Sequence, residues 1–174
     1  MADWKIAYDW MMENEDASRA CAQRQDSPSG ALIISGINSQ IWPAEFAAIA
    51  ALPQEQREPL IRRFYEDHFW NIWYVQLDSD EVAKRVFDFA VNAGSVASVR
   101  CLQQAVNSLT PPGGALLLDD GSWGPITVDE ANRTDPAMLV AAFRAARVGC
   151  CQAIAAGDPA KRKHLAAWLA RAEK

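Results

Sequence analysis

The sequence predicts a mainly α-helical fold with at most a small β-hairpin near residues 31–37. Three observations carry this. Apolar residues recur at helical spacing through most of the chain. Helix start signals, a proline at a first helical position or a Ser, Thr or Asp just before one, recur along its length, and glycines close several segments. One short apolar run, Ala31–Ile34, breaks into Gly36-Ile37 and is the only stretch with strand character.

Each element follows in order. Residues 4–13 place Trp4, Ala7, Tyr8 and Met11 on one stripe, with Asp3 as a cap. Pro43 opens 44–52, and Pro59 opens a segment that runs through Tyr65 and Trp70. Asp78-x-x-Glu81 reads as a capping arrangement before 82–92, closed by Gly94, and Ser95 caps 96–106. Residues 108–121 form the longest irregular stretch. Thr127-x-x-Glu130 reads as a capping box. Asp135-Pro136 starts the longest periodic segment, which stops at Gly157, and Asp158-Pro159 repeats that signal for a C-terminal helix. This gives seven or eight helices. The loop 108–121 is the expected joint between regions 1–107 and 108–174.

Composition narrows the function. A chain of 174 residues, 50% hydrophobic, supports one good core and not two large domains. A net charge of -5 argues against a nucleic-acid partner. The four cysteines, Cys21, Cys101, Cys150 and Cys151, and the two histidines, His68 and His164, show no metal-ligand spacing, so neither a metal nor a cofactor is expected. Cys150 and Cys151, neighbours in a helix, point different ways. The N-terminus has no secretory-signal pattern, and no apolar run approaches the ~20 residues of a membrane span. The expectation is synthesis in the cytoplasm, with any action outside reached by another route.

Several groups could carry chemistry. Glu13 and Glu15 stand at a helix end, and Asp26 follows in a Ser/Pro/Gly turn. Splitting a glycosidic bond takes one protonated carboxyl to release the leaving oxygen and one ionised carboxylate to activate water or stabilise an oxocarbenium-like state. An apolar wall, which Trp10, Met11 and Met12 could supply, favours the protonated form of such an acid. The same residues also read as a solvated helix end and a turn former. In the apolar segment 82–92, Lys84, Asp88 and Asn92 fall four residues apart, and they either pair with a neighbouring helix or line a cleft. The run 64–77 holds Phe64, Tyr65, Phe69, Trp70, Trp73 and Tyr74, a buried aromatic cluster or a platform for sugar rings. Residues 119–127 read as a turn leading into a helix.

These pieces occur in the order found in glycoside hydrolase family 108, the N-acetylmuramidases once called secretion-activator proteins, and the chain resembles that family over nearly its whole length. Glu15-Asp16-Ala17 resembles the family's Glu-Gly-Gly-Tyr motif, and Asp26 to Gly30 with Gly36-Ile37-Asn38-Ser39 resembles its second segment. Phe69-Trp70, Asp88-Phe89-Ala90-Val91-Asn92-Ala93-Gly94 and Leu102-Gln103 are similar to its middle blocks. Asp120 to Thr127, Arg147 and Trp168 to Arg171 are similar to its C-terminal peptidoglycan-binding region.

The resemblance implies a lysozyme-like helical region at 1–107 and a peptidoglycan-binding-like helical region at 108–174. It implies cleavage of the β-1,4 bond between N-acetylmuramic acid and N-acetylglucosamine in peptidoglycan glycan strands. Glu15 is the implied acid, since its offset of 11 residues to Asp26 suits the family better than that of Glu13. Asp26 is the implied second carboxylate. Ser35, Asn38, Trp70, Tyr74, Asp88 and Asn92 would line or support the cleft. Action in the periplasm or wall would need export by a pore or secretion machinery, and a toxin role would imply an immunity protein. Two departures stand out: the Gly-Gly after the glutamate is absent, and Ile33 replaces the family's Thr, which leaves the role to Ser35 or lowers activity. A non-catalytic peptidoglycan-binding or secretion-assisting protein on the same fold is the other reading.

Overall fold

The computed structural model of the chain describes residues 1–26 and 29–174. Among them are nine α-helices, two 3-10 segments and one three-stranded antiparallel sheet, so the chain is mainly α as expected. Packing divides it into two compact units, Trp4–Asn71 and Met1–Asp3 with Ile72–Lys174. The division lies at 71/72. Irregular composition marks the 108–121 loop, but α6 (Ser95–Leu109), which ends beside it, packs on helices from both sides of that point.

The first unit holds α1 (Trp4–Glu15), the sheet, α2 (Pro43–Ala50) and α3 (Glu58–Phe69). Strand β2 (Leu32–Ile34) pairs with β3 (Ile37–Asn38) as the hairpin expected near 31–37, and β1 (Gln23–Gln25) adds a third strand on its other edge. Strand side chains alternate between faces. Ile34 and Ile37 therefore enter the core together, while Arg24, Ile33 and Asn38 share the opposite, more open face. The core is completed by Tyr8, Met11, Met12, Ile49, Ile61 and Tyr65. The Arg57 guanidinium donates to the carbonyls of Leu52, Cys21 and Ala50, closing backbone acceptors that no helix or strand satisfies.

The second unit holds α4 (Ile72–Val75), α5 (Asp80–Ala93), α6, α7 (Pro125–Arg133), α8 (Pro136–Gly157) and α9 (Leu165–Ala172). Two start signals and one stop act as read. Asp135 accepts from Met138 N–H, Asp158 accepts from Ala160 N–H, and Gly94 ends α5 at a positive φ. Two differ. Ser79, not Asp78, caps α5, because the Asp78 backbone is turned towards Asn132. Thr127 lies inside α7, which Pro125 has already started, and its hydroxyl meets the buried Gln103 amide. Cys150 is half-buried and Cys151 buried, in keeping with neighbours that diverge on a helix.

Helix α8 is the one described helix long and apolar enough to cross a membrane. Here it packs on α5, α6 and α9. It also carries the buried Arg147, which reaches Asp88 of α5 at 2.9 Å. Arg171 of α9 binds the same carboxylate through Nη2 at 2.6 Å and through Nε. Asp88 is 0% exposed and Arg147 2%. Burial pushes the Arg147 guanidinium down from its ordinary value, and the Asp88 charge opposes this. The Arg147 head also lies over the Phe89 ring at 4.8 Å. One carboxylate thus clamps three helices.

Removing one partner of a buried pair strands the other charge. Asp88→Ala is expected to cost about 3–5 kcal/mol in urea denaturation. Asp67→Ala, which breaks the exposed Arg63–Asp67 pair, is expected to cost under about 1 kcal/mol.

Candidate active site

The candidate site lies in the first unit, where α1 runs out against the turn between β2 and β3. Glu15 is the last residue of α1, and its carboxylate rests on Gly36. A Cβ at Gly36 would fall inside contact distance of Glu15 Oε2 and 2.5 Å from the Tyr65 hydroxyl. Gly36 also has φ +84°, a left-handed conformation that glycine adopts without strain. The glycine is required twice: for the turn, and for the approach of the acid. Tyr65, on α3, donates its O–H to the Ser35 carbonyl at 2.7 Å and fixes that turn from beneath.

Asp16 holds the other side. Its carboxylate accepts from the Ser18 hydroxyl (2.7 Å), the Cys21 N–H (2.8 Å) and the Ser35 hydroxyl (2.8 Å). Burial pushes this carboxyl up, but those hydrogen bonds outweigh it and hold it below the usual carboxylate range. The residues it gathers are strained. Among the described residues the non-glycine positions with positive φ are Arg19, Cys21 and Ser35, all in the stretch that Asp16 ties down. Arg19 is fixed further by Asp9 Oδ1 at 2.9 Å and by the Tyr8 ring.

Asp26 takes the start of the β1–β2 connection. Its N–H donates to the Ala31 carbonyl, its carbonyl accepts from Gly30 N–H, and its carboxylate accepts from the Ser29 hydroxyl at 2.6 Å. It is half-buried, in the polar turn anticipated, while Ser27 and Pro28 of the same segment lie outside the described residues. Along β2, Ala31 stands four residues from Ser35, roughly 13 Å of strand. Asp26 and Glu15 therefore meet the sheet at opposite ends of that strand. Glu13 is exposed, and Met11 and Met12 are buried in the core.

The other expected residues separate. Asn38 lies across from Ile33 on the open face of the sheet, its Oδ1 accepting from Gln40 N–H. Ser35 is 3% exposed and its hydroxyl is committed to Asp16, so it does not stand in for the missing Thr hydroxyl at Ile33. Trp70, half-buried at the end of α3, packs its ring 5.4 Å from that of Trp4. In the second unit, Tyr74 is 0% exposed between Phe87 and Trp123 and offers no face to a ligand. Asp88 is likewise excluded from lining a cleft by its burial between two arginines. Asn92 lines a cavity of the second unit. Sequence reasoning gave Asp16 no role, although it adjoins the glutamate, and read Tyr65 only as one ring of the aromatic run.

The chain's fold is similar to that of Brucella abortus SagA, with a TM-score of 0.62 over 97% of this chain and 92% of that chain, at 17% identity. No family model and no curated protein matches the sequence. The likeness shows a SagA-like fold.

Gly36→Ala is expected to cost at least about 1–3 kcal/mol in chemical denaturation, since both φ and the Glu15 contact oppose a side chain. For Asp16, a depressed carboxyl contributes stability that is present above the unfolded value, near 4, and lost as pH falls through the folded one. The melting temperature of wild type should exceed that of Asp16→Asn at neutral pH, and the two should converge in acid below about pH 4.

Proposed function

We propose that the chain is a peptidoglycan hydrolase of the muramidase type, cleaving the β-1,4 bond between N-acetylmuramic acid and N-acetylglucosamine. The observation that carries this is the Glu15 carboxylate, set at a helix end on a turn where only glycine fits and surrounded by the strained residues. Strain of this kind collects at functional sites. The SagA-like fold and the family resemblance in the sequence support the same reading.

In this reading protonated Glu15 gives its proton to the glycosidic oxygen as the bond breaks. Asp26 is the ionised carboxylate of the sequence reading, but about 13 Å of strand separates it from Glu15, more than the roughly 5–9.5 Å of a pair acting on one glycosidic bond, so its part in this reading is to bind the glycan at a neighbouring position. Asn38 and Trp70 are the sugar contacts kept from the sequence reading. In this reading the enzyme reaches the wall through a pore or secretion machine, and an immunity protein guards the producer. Ile33, an apolar residue where the family has a hydroxyl, favours a second reading: a peptidoglycan-binding or secretion-assisting protein without turnover.

Digestion of purified peptidoglycan followed by mass spectrometry of the soluble muropeptides separates the two. Wild type should release fragments with N-acetylmuramic acid at the reducing end. Glu15→Gln should lose about 10²–10⁴-fold in rate while keeping wall binding. Wall binding by wild type with no fragments released would give the case to the second reading. Equal rates for both proteins would remove Glu15 from the reaction.

A further inference from the structure

The second unit contains a cavity of about 350 Å³ that the reading above does not use. It is built where the C-terminal ends of α5 and α8 meet the 3-10 segment Pro159–His164 and α9. Ala93, Ile154 and Trp168 give it apolar walls, while Asn92, Lys161 and His164 bring polar groups to it. Mostly apolar lining with a few convergent polar groups, at this volume, is the form of a small-molecule site.

The polar groups limit what could sit there. The Asn92 side chain is half-buried, and none of the described residues engages its amide. A side-chain amide offers a donor and an acceptor together, which is the complement of another amide. The Lys161 ammonium has a single long contact, to Asp158 at 3.7 Å. The His164 ring is held in place by stacking on Trp168, with centroids 5.8 Å apart. Charge adds a direction: the net charge of the chain is -5, yet residues 157–174 carry five Lys and Arg against Asp158 and Glu173. An anion is drawn to this end of the unit.

We propose that this cavity binds the carboxyl end of a short peptide. The terminal carboxylate pairs with Lys161 and His164, the last peptide amide pairs with Asn92, and a small apolar side chain lies against Ile154, Ala93 and Trp168. The volume suits roughly one or two residues. Nothing in this assignment depends on Glu15 or on turnover of glycan.

The test is a two-dimensional NMR titration of the full chain with N-acetyl-alanyl-alanine and, separately, with its C-terminal amide, each to about 10 mM, a range that captures millimolar affinity. The acid should shift the Asn92 side-chain amide and the Trp168 indole signals, and bind at least tenfold more tightly than the amide. Lys161→Met should bring the acid down to the affinity of the amide. That side chain is 53% exposed, and a thermal melt confirms that the variant is folded. The proposal is overturned if neither probe binds, if acid and amide bind alike, if the shifts fall outside the cavity, or if Lys161→Met leaves the acid's affinity unchanged.

Discussion

The hydrogen bonding of one carboxylate, Asp16, sets the geometry of everything near Glu15. Three donors from three places in the sequence converge on it: Ser18 in the loop after α1, Cys21 just before β1, and Ser35 after β2. Bonds to a charged acceptor contribute about 1.5–3 kcal/mol each, less where water competes. They link the end of α1 to the β2–β3 turn, beside the contact of Glu15 with Gly36. The second unit is organised on the same plan with a different balance. Asp88 gathers two guanidinium groups in full burial, where desolvation offsets much of the attraction. Such a cluster adds little over well-packed apolar residues, but it is intolerant of losing one member. One carboxylate thus orders a half-open loop region, and the other fastens a closed core.

The contrast explains what was legible in the sequence. Helix starts are local events, and Asp135 and Asp158 were readable because side chain and acceptor lie within three residues. Thr127 was misread because a local pattern competed with a distant partner, the Gln103 amide. The mainly α class and the hairpin followed from periodicity alone. The fate of Asp88 was open, since spacing on a helix says which residues share a stripe but not whether arginines 59 and 83 positions away will meet them. Tyr74 failed for a related reason. An aromatic-rich run looks the same whether its rings face a ligand or one another, and here Trp70 and Tyr74 belong to different units.

The site was legible in part. Glu15 at a helix end and Asp26 in a polar turn are local features, and both were readable as such. The role of Gly36 was not legible, although the residue was noted. Its φ and its distance from Glu15 both arise from the tertiary path of α1 over the sheet. Ser35 shows the limit of reading by residue type: a hydroxyl two positions from the expected one was a candidate substitute, but its orientation is set by Asp16.

Backbone strain gives the strongest asymmetry between the units. A non-glycine residue in the left-handed region costs about 1–2 kcal/mol. Arg19, Cys21 and Ser35 carry that cost within the stretch from the end of α1 to Gly36, while the positive-φ positions described in the second unit are all glycine. The second unit is therefore relaxed where it turns, as a structural core should be. The first accepts strain in one place and offsets it with the bonds gathered by Asp16. Glycine at 19, 21 and 35 would have removed most of the cost, but it would also have removed the Arg19 contacts with Asp9 and Tyr8 and the Ser35 hydroxyl that Asp16 holds. The side chains that make the loop expensive are the ones that fix the surface beneath Glu15.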